Sequence, residues 1–380
     1  MDPREYAASF EAMRVNQLRH ETQASETPRA VIVLGQSGTA THALAADFQK
    51  ELRGAAIVSE SMIARSYADN LKLPASEAAT QAAASAARIA DGVAFHRRDL
   101  IIQTTGRDPA AIEAMAAALD KAGYRTQVEA LAVNELYSQT RSHVVVEASR
   151  RERVDARAGD AAGALAEYRG VAETVSRLET SRTVDRITVR DVGLKEVTSV
   201  PGRNGPTGAA DALKAHRSTL SAPTKAQLAA ALDNAAEASA ARNAPAAERD
   251  AIDQLRARVH YAVQASPEAR REYAEAFAPS ATAERSSERL AASYGEELAK
   301  AIASPRPSPA LAARSPELQQ LVAARTVLLK AFEKAPEPAR EAAQSRITER
   351  LVESARNGAS IQLDLRVAPT QARTVEAAER

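Results

Sequence analysis

A β-branched run, Val31-Ile32-Val33-Leu34, feeds Gly35-Gln36-Ser37-Gly38-Thr39-Ala40-Thr41-His42, and an amphipathic helix, Ala43 to Leu52, follows. Strand, glycine turn and helix in that order admit few folds. The chain must turn sharply and aim consecutive N–H groups out of a helix N-terminus, which is the geometry of a phosphate-binding loop. Set against Gly-x-x-x-x-Gly-Lys-[Ser/Thr], Gly35 fills the first glycine. Ala40, Thr41 and His42 then stand where the second glycine, the lysine and the magnesium-binding hydroxyl belong. The shape is kept, and the cation that would meet the β- and γ-phosphates is missing. The backbone of Gly35 to Thr41 still suits an anion. The alternative is a turn that holds no ligand, with His42 facing solvent in the first turn of the helix.

Further strand signals recur at Ala55–Ser59, Asp99–Thr104, Arg125–Val133 and His143–Glu147, separated mostly by helical patterns. A first helix is expected over about residues 2 to 20, and others over Ala75 to Phe95 and Pro109 to Ala122. Asp108-Pro109 reads as an N-cap followed by proline at the first helical position, and Gly123 as the stop. Strands alternating with helices imply a parallel sheet with helices on its faces. Beyond Arg150 a helix is expected over Ala161 to Leu178, a short strand over Val184 to Val192 and a turn-rich loop over Val200 to Pro206. From Gly208 the chain is almost wholly helical, with proline-bearing joints. Ser315-Pro316-Glu317 starts a helix that carries Leu318, Leu321, Val322, Leu329 and Phe332, and a later helix ends at Asn357-Gly358. Ile361, Leu363, Leu365 and Val367 alternate with polar residues, a strand pattern followed by a tail expected to be disordered. The expected architecture is therefore an α/β domain over residues 1–217 and a helical region over 218–380.

Composition narrows the function classes. The 380 residues carry a formal charge of +1, so no global field favours nucleic acid or an anionic membrane. Aromatic residues are 3% and tryptophan is absent, against the stacking surfaces that nucleic-acid binding uses. No cysteine is present, which excludes disulfides, thiolate metal sites and a cysteine nucleophile. The six histidines lie at 20, 42, 96, 143, 216 and 260, without metal-ligand spacing. The start lacks an apolar signal core and no run approaches a membrane span, so a cytoplasmic protein is expected, with export by a specialised secretion system left open.

The strand Asp99-Leu100-Ile101-Ile102-Gln103-Thr104-Thr105-Gly106-Arg107 ends in a Glu-Gly-Thr-like triplet, and Lys121-Ala122-Gly123-Tyr124-Arg125 leads into a strand ending Leu131-Ala132-Val133. In this order after the glycine turn, these segments resemble the zeta toxin family of P-loop kinases. The likeness is sharpest over Val31 to Val133 and weaker to about Leu255, including Gly208 to Leu213 and Arg217. The resemblance implies ATP and magnesium as cofactors, a nucleotide sugar of the UDP-N-acetylglucosamine class as substrate, and a small helical antitoxin as partner. It places Gly35 to His42 at the cofactor and Thr105 and Arg107 at the substrate. Its departures fall on the chemistry. Thr41 replaces the lysine, Ser61 aligns with the aspartate base beside Glu60, and Gln103 replaces the acid of the triplet. Arg141, Arg150, Arg151 and Arg153 are candidates for its later catalytic arginines, with no choice among them.

Phosphoryl transfer is mostly positioning and charge neutralisation, and each missing group costs about 10² to 10⁴ in rate. The expected function is a nucleotide- or sugar-nucleotide-binding protein of kinase ancestry, impaired as a phosphotransferase. Two alternatives stand beside it. One is an active divergent kinase that uses Glu60 as base. The other is an interaction or effector protein acting through its helical half.

Overall fold

Ala30 to Leu34 are wholly withdrawn from solvent at the centre of the first of two compact units, Met1–Leu220 and Ser221–Arg380. The computed structural model describes residues 3–151, 161–203, 205, 207–277, 281–304 and 307–358. The first unit runs α1 (Pro3–Glu21), β1 (Arg29–Leu34), α2 (Thr41–Glu51), β2 (Ala56–Ser59), α3 (Glu60–Leu71), α4 (Ala75–Phe95) and β3 (Leu100–Thr104). It continues through α5 (Pro109–Lys121), β4 (Arg125–Leu131), α6 (Glu135–Arg151), α7 (Ala161–Ser181), β5 (Arg186–Arg190), β6 (Glu196–Pro201) and α8 (Ala209–Arg217).

The six strands form one sheet in the order β2-β3-β1-β4-β5-β6. All neighbours are parallel except β5 and β6, which pair antiparallel. The central strands read as unbroken apolar runs because both faces of a parallel sheet are covered. Successive side chains of β1 go to opposite faces. Ala30, Ile32 and Leu34 join the core made with α1, α3, α4, α5, α7 and α8. Val31 and Val33 pack with Leu44, Ala45 and Phe48 of α2. In α4, Ala78, Ala82, Ala86 and Ala90 recur every fourth residue and are buried, so this helix approaches its neighbours on small side chains. The chain leaves β1 towards β2 and leaves β3 towards β4 on the other side. The carboxyl ends of β1 and β3 therefore flank the crevice in which open α/β sheets bind ligands.

Capping follows the sequence. Asp108 accepts from Ala111 N at 3.0 Å, Pro109 follows it, and Gly123 turns with φ of +79°. Three features depart from expectation. His143–Glu147 lies inside α6 and not in a strand. Its β-branched triplet has strand propensity, but β4 already has β1 and β5 as its partners, and propensity yields to that context. A separate helix, α3, starts directly at the end of β2, and β6 takes in Val200 and Pro201, the first two residues of the expected turn-rich loop. The strand expected over Ile361 to Val367 and the tail after it lie outside the described residues.

The second unit is helical among its described residues: α9 (Ala222–Ala241), α10 (Ala246–Gln264), α11 (Pro267–Phe277), α12 (Ala281–Ala303), α13 (Pro309–Arg314), α14 (Pro316–Lys330) and α15 (Glu337–Asn357). Leu298, Ile302, Leu318, Leu321 and Leu351 centre its core. Ser315 caps α14 through Leu318 N, and Gly358 ends α15 with φ of +66°. Asp233 of α9 accepts from Arg256 (3.0 and 2.8 Å) and from Tyr273 Oη, and lies 3.0 Å from His260 Nε2. One carboxylate thus pins α9, α10 and α11. No helix among the described residues is long and apolar enough to cross a membrane.

Burial alone would push the Asp233 carboxyl up, but the hydrogen bond and charge of His260, with Tyr273 and Arg256, hold it below its ordinary value. Asp233 therefore stabilises the fold above the unfolded pKa of about 4. That contribution is lost as pH falls through the lower folded value. Asp233→Ala should destabilise the protein by about 3 kcal/mol at pH 7, and by less near pH 3, in urea melts followed by circular dichroism.

Candidate functional site

The glycine turn leaves β1 with Gly35 N donating to Thr104 O at 3.1 Å, which ties it to the end of β3. Thr39 closes the turn, its N and Oγ1 both donating to Gln36 O (3.2 and 2.7 Å). Gly38 has φ of +81°, and a Cβ there would sit 2.0 Å from Ser138 O of α6, so only glycine fits. Gln36 is buried and donates from Nε2 to Val133 O (2.8 Å) and Ser138 Oγ (3.3 Å). Its Oε1 accepts from Arg217 Nη2 at 3.4 Å. Thr41 opens α2, whose N-cap, Ala40, gives no side-chain cap. His42 is exposed in the first turn of that helix.

Across the crevice the acid is Glu60. It is the first residue of α3 and only 2% exposed. One oxygen accepts from Thr104 Oγ1 (2.7 Å) and Thr105 N (2.9 Å), the other from Thr105 Oγ1 (2.8 Å). Burial pushes its pKa above the usual carboxylate range, against these three donors, and the charge of Glu167 adds to the rise. Ser61 is exposed, with its hydroxyl 3.1 Å from that of Ser59. The interior place beside Thr104 and Thr105 thus belongs to Glu60. Gln103 Nε2 donates to Thr41 O at 3.3 Å, while its buried Oε1 has no partner.

The residue that sequence reasoning missed is Glu167 of α7. Its Oε2 accepts from Ser37 N at 2.9 Å and its Oε1 from Arg107 Nη2 at 2.9 Å. A carboxylate thus occupies an amide that a phosphate-binding loop offers to its ligand. Helix α7 comes this close because a Cβ at Gly170 would lie 2.0 Å from Gly106 O, so two backbones touch there. One sequence signal was available. Glu167 lies four residues before Val171 and eight before Val175, on the buried face of its helix. An acid in that register needs a partner. Arg107 Nε is buried without a partner.

The structure gathers Gly35 to Thr41, Glu60, Gln103, Thr105 and Arg107 about the ends of β1 and β3. Arg141 is exposed on α6, and Arg150 pairs with Glu147 at 3.3 Å. Arg151 ends α6, and Arg153 lies outside the described residues.

The family model described as Zeta toxin matches residues 14–198. A solved structure from the PezAT chromosomal toxin–antitoxin system of Streptococcus pneumoniae is similar at 17% identity and a TM-score of 0.49. That likeness covers 63% of this chain and 97% of the other. Among curated protein sequences, none matches the chain.

If burial keeps Glu60 costly to ionise, its contribution to stability falls as pH rises above the unfolded value of about 4.3. Glu60→Gln removes that penalty. The melting temperature of this variant relative to wild type should therefore rise from pH 5 to pH 8. A flat difference would show that Glu60 ionises without cost.

Proposed function

Since residues 14–198 are a zeta toxin-family domain, we propose that the chain is a phosphotransfer-incompetent member of P-loop kinase ancestry that keeps a nucleotide-sugar cleft. The observation that carries this is the Glu167 carboxylate on Ser37 N, in a loop with threonine where the family has lysine. A triphosphate entering there would meet Glu167 and Glu60, while Arg107 is already paired with Glu167. His42 is exposed and cannot replace a hydroxyl ligand to magnesium. The residues present therefore do not suit a magnesium–triphosphate.

Among the described residues, the buried side-chain atoms of this crevice without a hydrogen-bond partner are one acceptor, Gln103 Oε1, and one donor, Arg107 Nε. A neutral acceptor and a single donor suit hydroxyl and amide groups better than a chain of phosphates. That favours the sugar end of a nucleotide sugar. A helical antitoxin belongs to the same reading, through family membership.

Isothermal titration with magnesium-ATP and, separately, with UDP-N-acetylglucosamine tests the proposal. The sugar nucleotide should bind, at least tenfold more weakly in Gln103→Ala, and ATP should give no binding heat. Binding of ATP would overturn the sealed loop, and binding of neither would reduce the domain to a scaffold.

A second reading rests on Glu60, whose raised pKa and position beside two threonines suit a general base. It requires ATP consumption that falls by about 10² or more in Glu60→Gln. On the favoured reading wild type releases no ADP, and Thr41→Lys alone restores none, because Glu167 would pair with the new cation.

A further inference from the structure

Arg217 ends α8 and is 1% exposed, the largest of the fully buried side chains. Its guanidinium carbon lies 3.6 Å from the centre of the Tyr168 ring. Nη2 donates to Tyr168 O (2.6 Å) and to Gln36 Oε1 (3.4 Å), and Nε donates to Val133 O (3.3 Å). Nη1 is buried without a partner. Among the described residues no carboxylate pairs with this arginine. Burial pulls its pKa down to about 10, against the opposing charges of Tyr168 and Glu135. Carbonyl oxygens and an aromatic face recover part of the cost of burying a cation, and a counter-anion would recover more.

The same arginine lines a cavity of about 450 Å³ between α7 and α8, with Tyr168, Arg169, Glu173, Ser176 and Lys214. Three of these residues are basic and one is acidic. The acid, Glu173, already accepts from Arg177 Nε at 2.9 Å. Lys214 and Ser176 are exposed, and Arg217 is buried beneath them. The volume is that of a small-molecule site.

We propose that this cavity binds a phosphate-bearing small molecule, its anion seated on Arg217 and Lys214 with the Ser176 hydroxyl beside them. A planar guanidinium with a spare donor, next to an exposed ammonium, matches the several oxygens of a phosphate better than the two of a carboxylate. The site stands apart from the glycine turn. It is nevertheless wired to it. The guanidinium that would take the anion also holds Gln36, the second residue of the turn, and Val133 O, which Gln36 shares.

The test is titration of the full-length protein with pyrophosphate at low ionic strength. Saturable binding to a single site is expected. Lys214→Glu, at an exposed position that leaves the core intact, should weaken it at least tenfold. Thr41→Glu in the glycine turn should leave it within twofold of wild type. Arg217→Met should abolish it where that variant folds. The proposal fails if binding is not saturable, if Lys214→Glu binds as wild type does, or if Thr41→Glu is the variant that loses binding. Citrate binding as tightly as pyrophosphate would overturn the assignment to phosphate.

Discussion

A carboxylate from α7 on the amide of Ser37 ties the glycine turn of the first unit to the rest of its fold. Consecutive amides at the end of a strand attract negative charge, and a kinase satisfies them with its substrate. Here the chain brings its own anion, Glu167, and balances it with Arg107 at 2.9 Å. The arrangement depends on backbone contact between Gly170 and Gly106, which lets α7 lie against the β3–α5 turn. Remove either glycine and the helix must retreat, taking Glu167 with it. Glu60 completes the picture as a second buried acid on the far side, held by Thr104 and Thr105 and carrying no cation of its own. The crevice is acidic and internally bonded, where phosphoryl transfer asks for fixed positive charge.

Much of the fold was legible in the chain. Apolar runs of four to seven residues, separated by helical periods, marked the strands of the parallel sheet, because strands buried on two faces have little choice of side chain. Asp108-Pro109, Gly123 and Ser315-Pro316 marked helix ends through the chemistry of capping. The misread segments had weaker physical signals. His143–Glu147 carries a β-branched triplet that is strand-like in isolation, and only the filled sheet tells it otherwise. Helix α3 follows β2 with no intervening turn, so nothing punctuates the change of period. At the site, the glycine turn and the substitutions in it could be read directly. Of the adjacent pair Glu60 and Ser61, only the fold shows which is turned inward: the strand-to-helix junction buries Glu60 and leaves Ser61 exposed. Glu167 was invisible to motif reading because its role arises from a contact across 130 residues of chain.

The second unit is organised by a different economy. Its helices are rich in alanine, and small side chains bury little area each. Part of its definition comes instead from polar groups with fixed geometry. Asp233 draws Arg256, His260 and Tyr273 from two other helices. Tyr294 meets both Ser315 and Glu317, and Arg258 reaches Glu317 at 3.2 Å. Such networks specify one packing among the many that interchangeable alanine faces would tolerate.

The final hairpin of the sheet has a consequence outside chemistry. A parallel sheet grows by repeating a strand and a helix, and either edge presents unpaired amides and carbonyls to any passing chain. Here β6 runs back against β5 and ends the series. Glu196, Val197 and Ser199 are exposed along it, and Pro201 closes it with no N–H to offer. A charge at one end and a proline at the other make a poor template for a neighbour. The border that finishes the architecture also discourages copies of the protein from joining sheet to sheet in a crowded solution.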